Sequence, residues 1–247
     1  MTSTDSREEQ WLLTEGFNGV ESTEYFAARE KLRNGEPLAY LIGTMPFGPL
    51  TISLDSKPLI PRAETEFWVT KVLHELPFEP KTILDLCAGS GCIGVLALHT
   101  FPSAHVDFAE LDETHQETIR KNIERNNLPL ENTSIRGGDL FAEIPTDEKY
   151  DLMLTNPPYI DPALDRTQDG VKAHEPHLAL YGGADGMEII ERIIHDAKKH
   201  LTKQGILVIE HEPEQCSTIK LLTQAYTLRA IHMPDQYGTM RYTIITQ

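Results

Sequence analysis

Cysteine is scarce in this chain: Cys87, Cys92 and Cys216 are the only three among 247 residues, and no two form a CxxC pair. The sparse, odd count argues against a disulfide framework or a zinc site and points to a reducing cytoplasm. No run of about 18 apolar residues occurs, so no membrane-spanning helix is expected. The start, MTSTDSREEQ, lacks the basic residues and apolar stretch of a secretory leader. Positive charge is also short: 22 Lys and Arg stand against 38 Asp and Glu, a net charge of -16. Phosphate binding needs clustered cations, so direct contact with nucleic acid is not expected. Two readings of the acidity stand side by side: it aids solubility, or it faces a basic protein partner.

What the chain does have is a regular alternation of short apolar runs and amphipathic stretches. Residues 8–33 read as one or two short helices, with Thr23 capping the second, which ends at Asn34-Gly35. Residues 36–56 read as two short strands joined by a turn, and 64–76 as a helix with Glu64 and Glu66 in its first turn. From residue 82 onward the order is strand 82–86, helix 92–99, strand 106–111, helix 113–126 and strand 134–136. Then come strand 151–155, a long proline-containing loop, helix 187–200, strand 205–210, helix 214–225 and strands 228–233 and 240–246. This pattern predicts an α/β fold with a mostly parallel, seven-stranded, Rossmann-like sheet, helices on both faces and an antiparallel last strand. Residues 1–60 form a small helical and hairpin region, and 61–247 the main domain.

The segment ILDLCAGSGCIG places Gly89-x-Gly91-x-x-Gly94 between a strand and a helix. Glycines there allow a tight turn and a close approach of ligand to backbone, and Glu110, about twenty residues on, is placed to bond both hydroxyls of an adenosine ribose. Those features suit NAD and S-adenosyl-L-methionine equally. Asp85 separates them. A carboxylate before the loop opposes a pyrophosphate but favours a sulfonium or ammonium cation; its alternative role is to cap the loop through backbone N–H groups. Asp139, in GGDLF, is either an acceptor for the adenine amino group or a turn residue.

Thr155-Asn156-Pro157-Pro158-Tyr159-Ile160 follows the strand DLMLT. Carboxyl ends of parallel strands line the ligand crevice, and prolines make this loop rigid, holding Asn156 extended. A planar amide or aromatic amine is a poor nucleophile whose two N–H groups need two acceptors. The Asn156 side-chain oxygen and the Pro157 carbonyl supply them, and Tyr159 stacks on the planar group. Catalysis is then mostly orientation, aided by fixed acceptors.

The segments GEPLAYLIG, LIPRAETE, GGDLF, NPPYI and EPHLALYGGADG resemble, in order and spacing, those of the HemK/PrmC-type glutamine N5-methyltransferases, which modify peptide chain release factors. The resemblance runs from about Arg33 to the C-terminus. It implies that Cys87, Ala88, Gly89, Ser90, Gly91 and Glu110 hold S-adenosyl-L-methionine. It further implies that Asn156, Pro157, Pro158 and Tyr159 hold the glutamine amide, and that Arg62 and Glu66 brace the wall of the site. Leu140 stands where some members place an aromatic over adenine, and His211 where a glycine is common. Only 35 residues precede Glu36, so the family's longer N-terminal helical domain is shortened here.

Other readings remain. An adenine-N6 or cytosine-N4 nucleic-acid methyltransferase shares NPPY, but not LIPRAETE or the Glu175-Pro176 segment. Glutamine methylation of a ribosomal protein uses the same chemistry. A non-catalytic S-adenosylmethionine-binding module has no need of NPPY. HEPEQ, from His211 to Gln215, resembles a zinc-protease motif, but its last residue is Gln and Pro213 breaks the required helix. His174 and His177 are read as polar loop residues, and no metal is assigned.

Overall fold

The computed structural model describes residues 3–164 and 167–247; Met1 and Thr2, at the start of the polar N-terminal stretch, lie outside it. Helix α1 (Ser3–Trp11) runs into one π-helical turn, followed by α2 (Thr23–Arg33). The α2 cap is Ser22, one residue before the expected Thr23; its hydroxyl accepts from the Tyr25 N–H at 3.2 Å. A short helix α3 (Leu38–Ile42) precedes strands β1 (Thr44–Phe47) and β2 (Leu50–Ser53), so only the second half of the predicted strand pair is extended. This hairpin shares its core with the main domain: Phe47, Leu50 and Ile52 pack in one cluster with Trp68, Val95 and Phe108.

Helix α4 (Ala63–Glu75) buries Thr65, Trp68, Val69, Val72 and Leu73, the i, i+3, i+4, i+7, i+8 stripe of a helix lying on a sheet. The main sheet is built from β3 (Thr82–Leu86), β4 (His105–Glu110), β5 (Thr133–Gly137), β6 (Tyr150–Thr155), β7 (Leu201–Glu210), β8 (Arg229–Pro234) and β9 (Met240–Thr246). Helices α5 (Cys92–Thr100), α6 (Glu113–Arg125), α7 (Asp169–His174), α8 (Glu188–His200) and α9 (Cys216–Ala225) connect them. The strand order is β5-β4-β3-β6-β7-β9-β8. Strands β3 to β7 run parallel, and β9 lies antiparallel between β7 and β8. The chain order reverses at β3 and β6, so a crevice opens at their carboxyl ends. Strand β7 begins four residues earlier than Gly205, and α7 lies within the segment read as loop.

Candidate active site

Beyond β3 the chain turns sharply through Cys87–Gly91 into α5. A side chain at Gly94 would meet a Phe108 ring carbon at 2.3 Å, so only glycine lets α5 press this close to the sheet. A Cβ at Gly89 would meet nothing within 4 Å; that space is the crevice. Glu110 closes the turn from the end of β4. One of its oxygens accepts the Gly89 N–H at 2.7 Å and the other the Asp112 N–H at 2.8 Å. Each oxygen keeps a second lone pair, and the carboxylate lines the crevice with Cys87, Gly89, Asp112, Asp139 and Leu140. Cys87 and Leu140 hold left-handed φ values of 61° and 54°, backbone strain of the kind concentrated at binding sites. Asp139 faces the crevice while one of its oxygens is held by Arg192 at 2.7 Å.

Asp85 does not face the crevice. It is fully buried beneath the turn, where one oxygen accepts the Gly94 N–H at 2.8 Å and the other has no partner. Burial pushes its carboxyl well above the usual range. The bond to the Gly94 N–H is the capping contact, one of the two roles that the sequence offered for Asp85. Ala88, Ser90 and Gly91 shape the turn from behind. The Ala88 N–H donates to the Ala109 carbonyl, the Gly91 N–H to that of Ala88, and the Asn122 amide to that of Ser90.

A second cavity, lined in part by Arg62, Pro157, Tyr159 and Val171, meets the first at Leu59, Asn156 and Ala179. Asn156 is oriented by a relay of hydrogen bonds. Glu210, at the end of β7, is 1% exposed and accepts from three donors: Thr65 Oγ1 at 2.7 Å, Trp68 Nε1 at 2.6 Å and Tyr159 Oη at 3.0 Å. Burial raises its carboxyl pKa, and these donors pull it back. Because a carboxylate only accepts, the Thr65 proton points to Glu210. Thr65 Oγ1 can then only accept from Asn156, whose Nδ2 donates at 3.2 Å. The Asn156 amide therefore has one orientation, with Oδ1 left as an acceptor. Among the described residues the Pro157 carbonyl also accepts no hydrogen bond.

The wall is braced from far along the chain. Arg62 pairs with Glu175 at 2.6 Å, and the second Glu175 oxygen accepts the Ile60 N–H at 3.0 Å. Glu66, expected beside Arg62, lines neither cavity and makes no ion pair among the described residues; Glu175 occupies that role, because the helix turns Thr65 and Trp68, not Glu66, inward. The Tyr159-Ile160 backbone is clasped by the segment that follows Glu175. Ile160 N–H donates to Leu180 O, Gly182 N–H to Ile160 O, and Gln215 Nε2 to both Tyr159 O and Gly186 O. A Cβ on Gly186 would lie 1.9 Å from the Tyr159 carbonyl oxygen.

Sequence reading missed Thr65, Trp68, Glu210 and Gln215. One signal existed for Glu210, a carboxylate closing the apolar run GILVIE at the carboxyl end of a strand.

Residues 65–173 match the methyltransferase small domain family. Over 196 residues the chain is 33% identical to a ribosomal protein uL3 glutamine methyltransferase of Bradyrhizobium diazoefficiens, covering 73% of this chain and 59% of that enzyme. It is 33% identical over 214 residues to a release factor glutamine methyltransferase of Rhodopirellula baltica, covering 83% of this chain and 72% of that one. For the release factor glutamine methyltransferase of Streptococcus pneumoniae the identity is 31% over 220 residues, covering 87% and 77%. A solved methyltransferase from Pyrococcus furiosus superposes with a TM-score of 0.61 at 17% identity, covering 89% of this chain and 96% of its own. A ribosomal protein L11 methylase from Lactobacillus delbrueckii subsp. bulgaricus gives 0.55 at 16%, covering 74% and 78%. These two speak to the fold, which is that of the class I methyltransferases, as the sequence pattern predicts. With the seven-stranded order and the curated relatives agreeing, the chain belongs to the release factor glutamine methyltransferase family.

Proposed function

We propose that this enzyme transfers a methyl group from S-adenosyl-L-methionine to the side-chain amide nitrogen of a glutamine in a protein, with a peptide chain release factor as the acceptor. The observation that carries this reading is the fixed amide of Asn156, a residue that lines both cavities and precedes Pro157, itself in the lining of the second.

The crevice suits the cofactor. Glu110, Asp112 and Asp139 line it, and among the described residues no Lys or Arg does; that charge favours a cationic ligand and disfavours a phosphate. Glu110 would take the ribose hydroxyls on its remaining lone pairs. Cys87, Gly89 and Leu140 would contact the nucleoside.

When bound, S-adenosylmethionine supplies a methyl group activated by its sulfonium sulfur. The chain's own residues prepare the acceptor. Asn156 Oδ1 and the Pro157 carbonyl take the two amide N–H groups, which turns the nitrogen lone pair out of the amide plane and toward the crevice. Orientation of this kind is worth up to about 7–11 kcal/mol. Tyr159, its hydroxyl anchored on Glu210, gives the amide a flat wall. The methylated nitrogen is acidic and loses its proton without a dedicated base.

Residues 61–247 carry this chemistry, and Leu59 joins the lining of both cavities from the preceding segment. No helix among the described residues is long and apolar enough to cross a membrane, and the three free thiols suit a reducing cytoplasm. The test offers labelled cofactor with a folded release factor, its Gln→Ala variant, ribosomal protein uL3 or duplex DNA. Label on the intact release factor alone is expected. Label confined to uL3 moves the substrate and keeps the chemistry; label on DNA overturns both.

A further inference from the structure

His211 takes no part in the site above, although it directly follows Glu210. It is fully buried and meets two side chains from other parts of the chain, Cys216 at the start of α9 and His232 on β8. One ligand atom from each of the three lies within 4.8 Å of the others. Thr243, on β9 between the two histidines, holds both rings: His211 Nε2 is 2.6 Å and His232 Nδ1 2.7 Å from its hydroxyl.

The hydrogen bonds determine where the lone pairs are. His211 Nδ1 is 2.9 Å from the Glu212 carbonyl, which can only accept, so Nδ1 carries the proton and Nε2 the lone pair. The Thr243 proton goes to that lone pair. His232 Nδ1 must then donate to Thr243, leaving the His232 Nε2 lone pair with no hydrogen-bond partner among the described residues. A neutral histidine whose other N–H is held by a backbone carbonyl or a side-chain oxygen is the usual form of a metal-ligating imidazole. Cys216 and His232 are only partly buried, which leaves an entry path. The nearby Arg241 is balanced by Glu212 and Asp235.

We propose that His211, Cys216 and His232 form a structural site for one zinc ion, independent of the methyl-transfer centre. Tetrahedral zinc with bonds of about 2.0–2.1 Å to nitrogen and 2.3 Å to sulfur sets its ligands roughly 3.3–3.6 Å apart. To reach that spacing from within 4.8 Å the side chains must draw together, with Thr243 yielding its bond to His211. The Cys216 S–H proton leaves to solvent as the sulfur–zinc bond forms, so binding releases one proton. The fourth position is left to water. The bound ion ties β8 and the start of α9 to the end of β7.

The experiment titrates the full chain, freed of metal, with Zn²⁺ alone by calorimetry and with Co²⁺ by absorption. Expected are one ion per chain, a thiolate-to-cobalt charge-transfer band and a thermal midpoint that rises with added Zn²⁺. Outer ligands of metal sites contribute about 10–100-fold to affinity, so Cys216→Ser and His232→Gln should each weaken Zn²⁺ binding by at least about a hundredfold. Both should abolish the midpoint shift while leaving methyl transfer at the parental rate. Circular dichroism of each variant establishes that it is folded. A parent with no saturable binding overturns the site, as does a folded Cys216→Ser variant that keeps the cobalt band or parental zinc affinity.

Discussion

Asn156 Nδ2 donates to Thr65 Oγ1 at 3.2 Å, joining two residues 91 positions apart. Since Thr65 is itself committed to Glu210, it can receive only an N–H from Asn156. The Thr65 hydroxyl is therefore what keeps the Asn156 oxygen on the acceptor side, without touching the acceptor itself.

Thr65→Val keeps the shape and removes the relay. One lost hydrogen bond to a charged network is worth about 1.5–3 kcal/mol, so methyl transfer should fall roughly 10–150-fold at saturating cofactor, with cofactor affinity within a few-fold of the parent. Thr65→Ser should restore most of the rate. Asn156→Ala should cost about a hundredfold or more, and adding Thr65→Val to it should cost little further, because the two act through one contact. A Thr65→Val enzyme of normal rate, or losses that multiply in the double variant, would show that Thr65 does not act through Asn156.

Glu110 holds the turn and lines the crevice, where the proposed function gives it the ribose. Glu110→Ala should weaken binding of S-adenosylmethionine and of its demethylated product alike, by about 1.5–3 kcal/mol for each charge-assisted bond lost. The loss should be visible in KM for the cofactor and in calorimetry. Unchanged affinity for both ligands, or tighter binding of NAD by the parent, contradicts the assignment of this crevice.

His200 offers a test against pH. It is 5% exposed, stacks on Phe141 at 4.9 Å and lies 3.2 Å from the Glu148 carbonyl. Burial lowers its pKa in the folded chain, so the unfolded chain binds the proton more readily. Stability is then intact above the unfolded value of about 6.5 and is lost as pH falls through it toward the folded value. Thermal midpoints measured between about pH 7.5 and 5 should decline less steeply in His200→Gln, which keeps a donor for Glu148 and does not titrate. Parallel slopes for parent and variant would remove His200 from the acid response.

The order of strands and helices was readable because each carries its own period, as in the Thr65, Trp68, Val69, Val72, Leu73 stripe of α4. Asn156 and Glu110 drew notice because each stands at a strand end next to residues of special backbone geometry, and Arg62 through the resemblance; the structure places all three on the cavity walls. The partners were not readable. Thr65 and Glu210 are 145 residues apart, and although Thr65 lies in the LIPRAETE segment, nothing local pairs it with Glu210. Asp85 was ambiguous for a local reason: a carboxylate before a glycine turn can reach back to the helix N–H groups or forward to a ligand, and only the three-dimensional path of the turn separates the two. Glu66 was misplaced because one helical step, about 100°, divides an inward from an outward side chain. The α7 turn was hidden by its brevity.

The clasp on the Tyr159-Ile160 backbone has a consequence for synthesis. Asn156 and its prolines emerge from the ribosome well before Gln215, whose amide holds Tyr159 O and Gly186 O, and before Glu210, which polarises Thr65. A nascent chain that has displayed every residue of the NPPYI segment still lacks the bonds that orient it. The bonds that orient this loop thus form late, when the last third of the chain folds back.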